Sequence, residues 1–148
     1  MSAHNLNLSL IIPVFNSENS LAKLIESIVN SLSKTSFSYE IVCINDGSID
    51  RSYQVLQELA LITPSLRAIN LTKNFGQDNA IMAGLNNCYG DNIVIMDDDL
   101  QHPPEEITKF IDSIKLHSEI DVIIGYPHEK IQSSFRNFGN YINDYLNI

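Results

Sequence analysis

Short apolar runs alternate with amphipathic stretches along most of the chain. Five runs rich in Ile, Val and Leu predict buried β-strands, namely residues 8–14, 39–45, 66–71, 92–96 and 120–125. Between them, apolar residues recur at helical spacing, as from Leu21 to Leu32, which predicts amphipathic helices. Residues 132–148 predict a last helix. This alternation predicts an α/β fold, with a mostly parallel sheet and helices on both faces.

Polar residues follow each of the first four predicted strands. In chain order they are Asn16 and Glu18, Asp46 and Ser48, Lys73 and Asn74, and the stretch from Asp97 to Gln101. The carboxyl ends of parallel strands lie at one edge of a sheet, and ligands of open α/β sheets bind beyond that edge. We therefore expect the four loops to build one ligand site. In that site Lys73 is either a phosphate contact or a solvated loop lysine.

Three adjacent carboxylates, Asp97, Asp98 and Asp99, end the fourth predicted strand and precede Pro103. They repel one another and are costly to desolvate, so they need a cation, backbone donors or water. Oxygen ligands from Asp97 and Asp99 suit Mg²⁺ or Mn²⁺, ions that keep positions open for phosphate oxygens. Strand alternation directs Asp98 to the opposite face. An acidic helix N-terminus explains the same pattern about as well, because carboxylates there interact favourably with the helix dipole.

Composition limits the classes of partner. Acidic residues outnumber Lys and Arg by 18 to 9 in the 148 residues, giving a formal net charge of −9, so we expect no nucleic-acid partner. Cys43 and Cys88 are too few for a disulfide framework. No run approaches membrane-spanning length, and the N-terminus lacks the pattern of a signal peptide. The sequence favours one domain in the cytoplasm.

Three segments resemble the hallmark segments of inverting family 2 glycosyltransferases, which have the Rossmann-like GT-A fold. They are SLIIPVFN at residues 9–16, EIVCINDGSID at 40–50 and DDD at 97–99. Two more segments, LTKNFG at 71–76 and MDDDLQHPP at 96–104, resemble the branch that transfers sugars to dolichyl or undecaprenyl phosphate. The resemblance runs in collinear order from about residue 8 to residue 125.

The resemblance implies that a nucleotide-diphosphate sugar, linked to UDP or GDP, binds at the carboxyl edge of the sheet and donates its sugar to a polyprenyl phosphate. Pro13, Phe15 and Glu18 match the segment around the ribose and the base. Asp46 matches the carboxylate that hydrogen-bonds the base. The implied location is cytoplasmic and peripheral, at the inner face of the membrane, reached directly or through a partner subunit.

Asp97, Asp99 and Gln101 match the positions that hold the metal and, through it, the diphosphate. The metal neutralises charge that develops on the leaving diphosphate, so Asp97 and Asp99 are the expected catalytic residues. A phosphate acceptor is already an anionic nucleophile near neutral pH. This branch therefore needs no general base, and positioning and leaving-group stabilisation carry most of the catalysis.

The chain departs from the family pattern in two ways. An arginine is expected near residues 126–128 and none is present, which leaves His128 or Lys130 as substitutes with weaker bidentate phosphate recognition. Family domains also continue through an acceptor-side region. We therefore interpret residues 1–148 as the nucleotide-sugar-binding part of a single family 2 domain, with residues 128–148 starting an incomplete acceptor-side region. A fragment, a natural truncation and one half of a split enzyme all remain open.

Three alternative functions stay open beside transfer to a lipid phosphate. A transferase that uses a saccharide hydroxyl needs a general-base carboxylate, which the family normally carries beyond the end of this chain. A catalytically inert nucleotide-sugar-binding fragment or subunit needs only the donor site. A phosphotransfer receiver or phosphatase-like domain is disfavoured, because Leu100 and Gln101 follow Asp99 where such phosphatases have a hydroxyl residue.

Overall fold

The computed structural model describes residues 7–101, 103–116 and 122–125. In chain order the elements are β1 Asn7–Val14, α1 Leu21–Leu32, β2 Ser38–Asn45, α2 Ser52–Ile62, β3 Leu66–Asn70, α3 Gln77–Leu85, β4 Asn92–Ile95, a 3₁₀ helix Pro104–Glu106 and α4 Ile107–Leu116. The predicted alternation is therefore confirmed through the first four strands. Strand β4 ends one residue earlier than predicted, at Ile95, and α3 begins at Gln77.

The four strands form one parallel sheet in the order β3-β2-β1-β4. Strand β1 is central, and its Leu10 aligns with Ile41 of β2 on one side and Val94 of β4 on the other. A central strand is covered on both faces, which explains why β1 is apolar almost throughout. The parallel register brings the ends of all four strands, and the loops that follow them, to one edge of the sheet.

Successive residues of each strand point to opposite faces and so build two apolar clusters. The larger cluster packs α1, α2 and α4 against the sheet, and its fully buried members include Leu8, Leu10, Ile12, Leu24, Ile28, Leu56 and Ile111. The smaller cluster packs α3 on the other face and contains Ile11, Val42, Ile44 and Ala80. Helices therefore cover both faces of the sheet, as the sequence pattern predicts.

Helix α3 approaches the sheet unusually closely at Gly84. A Cβ atom at this position would lie 2.5 Å from Ile11 Cγ2 and 2.8 Å from Ile44 Cδ1. Ala80, one turn earlier, is completely buried. Small residues on this face of α3 thus allow the helix to pack directly on β1 and β2.

A polar network occupies the amino end of the sheet. The buried Ser9 hydroxyl donates to Glu40 Oε1 at 2.6 Å, Arg67 Nε donates to Oε2 at 3.0 Å, and the Tyr89 N–H donates to Oε1 at 2.5 Å. Burial raises the pKa of Glu40, but these hydrogen bonds and the charge of Arg67 outweigh burial and lower the pKa overall. The network explains how a serine and a glutamate are accommodated in otherwise apolar strands.

The predicted fifth strand is wrong for the residues that can be compared. Residues 122–125 have no regular secondary structure, and 120 and 121 lie outside the described residues. The chain divides into two compact units, 1–118 and 119–148, and residues 122–125 are the described part of the second. A strand needs a paired neighbour for its backbone groups, and within the described residues no strand pairs with this segment.

Several expectations fall on residues that are not described. The predicted last helix at 132–148 and the phosphate contacts proposed for His128 and Lys130 lie outside the described residues, as does the expected acceptor-side start at 128–148. Among the helices in the described part, none has the length and apolar character to cross a membrane.

Candidate functional site

Four loops meet at the carboxyl edge of the sheet. They are the β1–α1 loop at residues 15–20, the β2–α2 loop at 46–51, the β3–α3 loop at 71–76 and the acidic turn at 96–101 that follows β4. Hydrogen bonds join the β1–α1 loop to the β2–α2 loop, the β2–α2 loop to the β3–α3 loop, and the acidic turn to the β1–α1 loop. The acidic turn is also bonded to Gln77, the first residue of α3, which directly follows the β3–α3 loop. We call this closed arrangement the loop circuit.

The β1–α1 and β2–α2 loops are joined by a reciprocal pair of hydrogen bonds at Asn16. Its backbone N–H donates to Ser48 Oγ at 2.9 Å, and its side-chain Oδ1 accepts from the Ile49 N–H at 2.9 Å. Asn16 has a φ of +55°, a left-handed conformation that asparagine adopts more readily than most residues. One asparagine thus fixes both the path of its own loop and the position of the next.

A second set of bonds between the same loops involves Glu18. Its N–H donates to Asp50 Oδ2 at 3.1 Å, and its carboxylate Oε2 accepts from the Arg51 N–H at 2.8 Å. The Ser17 N–H donates to Ser52 Oγ at 2.8 Å, and Asp50 Oδ1 accepts from the Ser52 N–H at the start of α2. These contacts fix the β1–α1 loop against the first turn of α2.

Asp46 connects the β2–α2 loop to the β3–α3 loop. Its carboxylate is almost fully buried, with 3% exposure. Oδ1 accepts from the Phe75 N–H at 2.7 Å, and Oδ2 accepts from the Gly76 N–H at 2.8 Å. Each carboxylate oxygen has two lone pairs, so these two bonds leave capacity for another donor. The family resemblance predicts that Asp46 hydrogen-bonds the base of a nucleotide; the contact that the structure shows is a different one, in which Asp46 holds a neighbouring loop.

Gly47 allows the same two loops to touch. Its φ is +64°, and a Cβ atom there would lie 2.3 Å from the Lys73 carbonyl carbon and 2.4 Å from the Asn74 nitrogen. Both neighbours are backbone atoms, which cannot turn aside as the end of a side chain can. Glycine is therefore required twice over at this position, by conformation and by space.

The acidic turn presents Asp97 and Asp99 differently. Asp97 is half-buried, and its Oδ1 accepts from Gln77 Nε2, at the start of α3, at 2.8 Å. Asp99 is exposed, and its Oδ1 accepts from the Gln101 N–H at 3.0 Å, which closes a local turn around Leu100 at φ +62°. Gln101 is exposed. The turn therefore offers oxygen ligands at the surface and is tied to α3 through Gln77.

Asp98 faces the β1–α1 loop instead. Its Oδ2 accepts from the Phe15 N–H at 3.2 Å and from Ser17 Oγ at 2.5 Å, while its backbone carbonyl accepts from Ser20 Oγ at 3.0 Å. Burial raises the pKa of Asp98 and the charge of Asp99 adds to the rise, whereas the hydrogen bonds from Ser17 and Phe15 oppose it. The partners of Asp97 and Asp98 thus belong to different elements, in agreement with the predicted alternation.

The other residues that are predicted to bind the nucleotide-sugar donor lie at or beside the loop circuit. Pro13 is buried in β1, two residues before the first loop. Phe15 is 46% exposed and presents its ring at the surface. Lys73 is exposed, and its Nζ lies 5.1 Å from the centre of the Phe75 ring. The fold brings their loops together, while contacts of these residues with a donor remain predictions.

The sequence pattern does not identify the contacts that three residues make in the circuit. Asp98, Gln77 and the cross-loop role of Asn16 each depend on which loop lies opposite, and apolar periodicity does not encode that. A partial signal exists for Asn16 and Asp98, because both stand directly after apolar runs, where polar residues gather at a strand end. Gln77 has no such signal, since its partner is twenty residues away in the sequence.

The donor atoms in the acidic turn limit the kind of metal that fits. Within the described residues, no group of three or more His, Cys, Asp or Glu side chains is arranged to hold a metal ion. The predicted ligands, two carboxylates and an amide from Asp97, Asp99 and Gln101, are all hard oxygen donors and would supply only part of a coordination shell. Such a set does not suit a closed protein cage but fits Mg²⁺ or Mn²⁺, which keep sites for water and phosphate oxygens.

Comparisons with known proteins agree with the resemblance seen in the sequence. An undecaprenyl-phosphate 4-deoxy-4-formamido-L-arabinose transferase of Pseudomonas fluorescens is 37% identical over 129 residues, which are 86% of this chain and 37% of that protein. The transferase of the same name from Proteus mirabilis is 43% identical over 104 residues, 70% of this chain and 32% of that protein. The crystal structure of S. aureus TarS 1-349 in complex with UDP-GlcNAc matches with a TM-score of 0.61 and 25% identity, and covers 76% of this chain and 32% of that one.

These matches confirm the fold class, a parallel α/β sheet of the GT-A type. The chain spans about a third of the length of the curated relatives it matches. The family model described as glycosyl transferase family 2 matches residues 9–144, a range that contains all four loops of the circuit. The chain therefore belongs to glycosyl transferase family 2.

Proposed function

We propose that the chain carries the donor site of an inverting glycosyltransferase that moves a sugar from a UDP- or GDP-linked donor to a polyprenyl phosphate. The observation that carries the proposal is the loop circuit, in which the acidic turn is bonded to the loop of Phe15 and that loop is bonded to the loop of Asp46. The acceptor class is supported by 37% and 43% identity to undecaprenyl-phosphate transferases.

The nucleoside half of the donor is assigned to the first two loops. The exposed Phe15 ring offers a stacking surface for a base, and Pro13 and Glu18 flank the same segment. Asp46 has lone pairs left after its two backbone bonds, so it is able to accept an N–H from the base without releasing the β3–α3 loop. In this proposal one carboxylate both builds the pocket and selects the base.

The diphosphate half is assigned to Lys73 and the acidic turn. Lys73 is exposed at the circuit and carries a charge suited to phosphate. Asp97, Asp99 and Gln101 would hold Mg²⁺ or Mn²⁺, which when bound neutralises charge on the leaving diphosphate. Gln77 fixes the orientation of the Asp97 carboxylate through its hydrogen bond at 2.8 Å.

The transfer is a single displacement at the anomeric carbon of the sugar. An oxygen of the lipid phosphate forms a bond to that carbon. At the same time the bond between the carbon and the diphosphate oxygen breaks, and the nucleoside diphosphate leaves. No proton has to be removed from the acceptor, because its phosphate is already anionic near neutral pH. The contribution assigned to the chain is therefore orientation and charge stabilisation rather than general-base catalysis.

The organisation of the working protein follows from this chemistry. We propose that residues 1–148 belong to one glycosyltransferase domain, with residues 128–148 starting its acceptor-side region. A water-soluble donor and a lipid acceptor meet only at a membrane surface. The proposal accordingly assigns the reaction to the inner, cytoplasmic face of the membrane, where the protein is peripheral and is held directly or through a partner subunit.

Calorimetric titration tests the donor site. UDP and GDP are titrated into the purified chain with and without Mn²⁺, and the titration is repeated on Asp99→Asn. We expect one of the nucleotides to bind in the presence of the metal and Asp99→Asn to weaken that binding by about tenfold or more. Asp112→Asn changes an exposed carboxylate on α4 and should bind like the wild type. A folded wild-type chain that binds neither nucleotide would refute the proposal.

A transfer assay tests the acceptor. The chain is incubated with Mn²⁺, labelled UDP- or GDP-sugars and either a short-chain polyprenyl phosphate or a saccharide, and the products are separated by solubility. Label in the lipid product supports the proposed acceptor. Label in the saccharide would replace it with a hydroxyl acceptor, whereas nucleotide binding without any transfer would indicate an inert binding module.

A further inference from the structure

We infer that Asp98 is a positioning residue that fixes the distance between the nucleoside side and the diphosphate side of the donor site. The inference rests on the proposed donor function, which assigns the β1–α1 loop to the nucleoside and the acidic turn to the diphosphate. The side chain of Asp98 is assigned to neither ligand half. It bonds the acidic turn to the β1–α1 loop, whereas Asp46 bonds the β2–α2 loop to the loop of Lys73.

The contacts of Asp98 all reach one short segment. Its side chain accepts from the Phe15 N–H and from the Ser17 hydroxyl, and its backbone carbonyl accepts from Ser20 Oγ. These three donors lie between the end of β1 and the start of α1, about eighty residues away in the sequence. The bonds therefore join the loop after β1 to the turn after β4, beyond the last paired residues of the two strands.

The arrangement differs from that of the two flanking carboxylates. Asp97 is bonded to Gln77 on α3, and Asp99 closes a local turn with Gln101, so neither contacts the β1–α1 loop through a hydrogen bond in the described residues. The β1–α1 loop is in turn bonded to the β2–α2 loop through Asn16. A movement of the β1–α1 loop away from Asp98 would therefore displace the nucleoside side as a unit.

One atomic detail makes the inference testable. Both side-chain bonds of Asp98 go to the same oxygen, Oδ2. In Asp98→Asn the amide oxygen can take that position and accept from both Phe15 and Ser17, although the negative charge is gone. Asp98→Ala removes the acceptor altogether. A positioning role thus predicts that Asn is tolerated and Ala is not, whereas a metal ligand or an essential charge would be lost in both.

The experiment compares two ligands on four proteins. UDP or GDP with Mn²⁺, whichever the wild type binds, spans both halves of the site, while the corresponding nucleoside contacts only one. Affinities are measured by calorimetry for the diphosphate and by ligand-observed NMR for the nucleoside. The proteins are the wild type, Asp98→Ala, Asp98→Asn and Asp112→Ala, the last an exposed carboxylate on α4 as the matched control.

For Asp98→Ala we expect the affinity for the diphosphate to fall by about tenfold or more, with a change of less than about threefold for the nucleoside. Asp98→Asn and the control should stay within about threefold of the wild type for both ligands. A general loss of structure would weaken both ligands alike, so the ratio of the two affinities isolates the positioning role. Thermal unfolding of each variant identifies any that does not fold.

Ser17→Ala provides a second approach to the same bond should Asp98→Ala fail to fold. It should weaken diphosphate binding in the wild-type background and have little further effect in Asp98→Ala, because the two residues share one interaction. Equal losses in Asp98→Asn and Asp98→Ala, or no loss in Asp98→Ala and Ser17→Ala, would overturn the inference alone. A wild-type chain that binds no nucleoside diphosphate would overturn the proposed function and this inference together.

Discussion

Replacing Gly47 by alanine is the most severe single-methyl change that the loop circuit offers. The new Cβ would stand 2.3 Å from the Lys73 carbonyl carbon and 2.4 Å from the Asn74 nitrogen, where an ordinary contact is at least 3.4 Å. If the β3–α3 loop takes up the whole displacement, it retreats by about 1 Å, which is enough to break the bonds from Phe75 and Gly76 to Asp46 at 2.7 and 2.8 Å.

The expected loss of stability has two parts. A non-glycine residue in the left-handed region costs about 1–2 kcal/mol. Accommodating the methyl costs about 1–3 kcal/mol if the loops absorb it, and roughly the same or more if the charge-assisted bonds to Asp46 are lost instead. The cheaper route sets the result, so we expect Gly47→Ala to lower the free energy of unfolding by roughly 2–5 kcal/mol.

Two further variants separate the backbone cost from the cost of the close contact. The stability of every variant is measured by urea denaturation, and the slopes of the unfolding transitions are compared. Asparagine tolerates a positive φ but still places a Cβ at the contact, so Gly47→Asn should remain about 1–3 kcal/mol less stable than the wild type. Gly76 has a φ of +91°, and a Cβ atom there would have nothing within 4 Å. Gly76→Ala should therefore show the cost of the backbone conformation alone. Near wild-type stability of Gly47→Asn would refute the close contact.

Three other predictions concern stability. The pKa of Glu40 is lowered in the folded state, so the ionised carboxylate stabilises the fold. This stabilisation is fully present above the ordinary pKa of a glutamate and is lost as the pH falls through the folded-state pKa. Glu40→Gln should therefore destabilise the chain more at about pH 7 than at about pH 3 in urea titrations. Asn16→Gly keeps the left-handed backbone and loses only the bond to Ile49, so it should cost about 1 kcal/mol, and Asn16→Ala about twice that by the same assay. Gly84→Ala gains about 1 kcal/mol of helix propensity but brings a methyl to 2.5 Å from Ile11 Cγ2. We therefore expect no net stabilisation in thermal unfolding, and a clear rise in Tm would contradict the close packing of α3.

The fold was largely accessible from the sequence because β1 to β4 are short, apolar and separated by helices of clear periodicity. The run at residues 120–125 shows the limit of that reasoning. An apolar run of strand length does not by itself ensure a strand, and residues 122–125 have no regular secondary structure. The start of α3 at Gln77 is also hard to locate from the sequence, because Gln77 and Asp78 are as polar as a loop.

The sequence predicts where the candidate site lies in the fold but not which residues of the site contact one another. Residues such as Asp46 and Asp97 stand after apolar runs, and the geometry of parallel sheets brings such positions together. Which backbone amide each side chain accepts from depends on distances across the loop circuit. Two oxygens of Asp46 bonded to Phe75 and Gly76, and one oxygen of Asp98 bonded to Phe15 and Ser17, could be found only in three dimensions.

The strand order has a consequence for the kinetics of folding. Leu8 of β1 pairs with Tyr39 of β2, about thirty residues along the chain, but also with Asn92 of β4, more than eighty residues along. Closing the longer loop costs only about 0.9 kcal/mol more in chain entropy, yet it requires contacts of much greater sequence separation. We therefore expect the β1–β2 and β2–β3 units to form early and β4 to dock late. Nucleotide bound across the circuit would then act mainly by slowing the departure of β4, so that it lowers the unfolding rate more than it raises the folding rate.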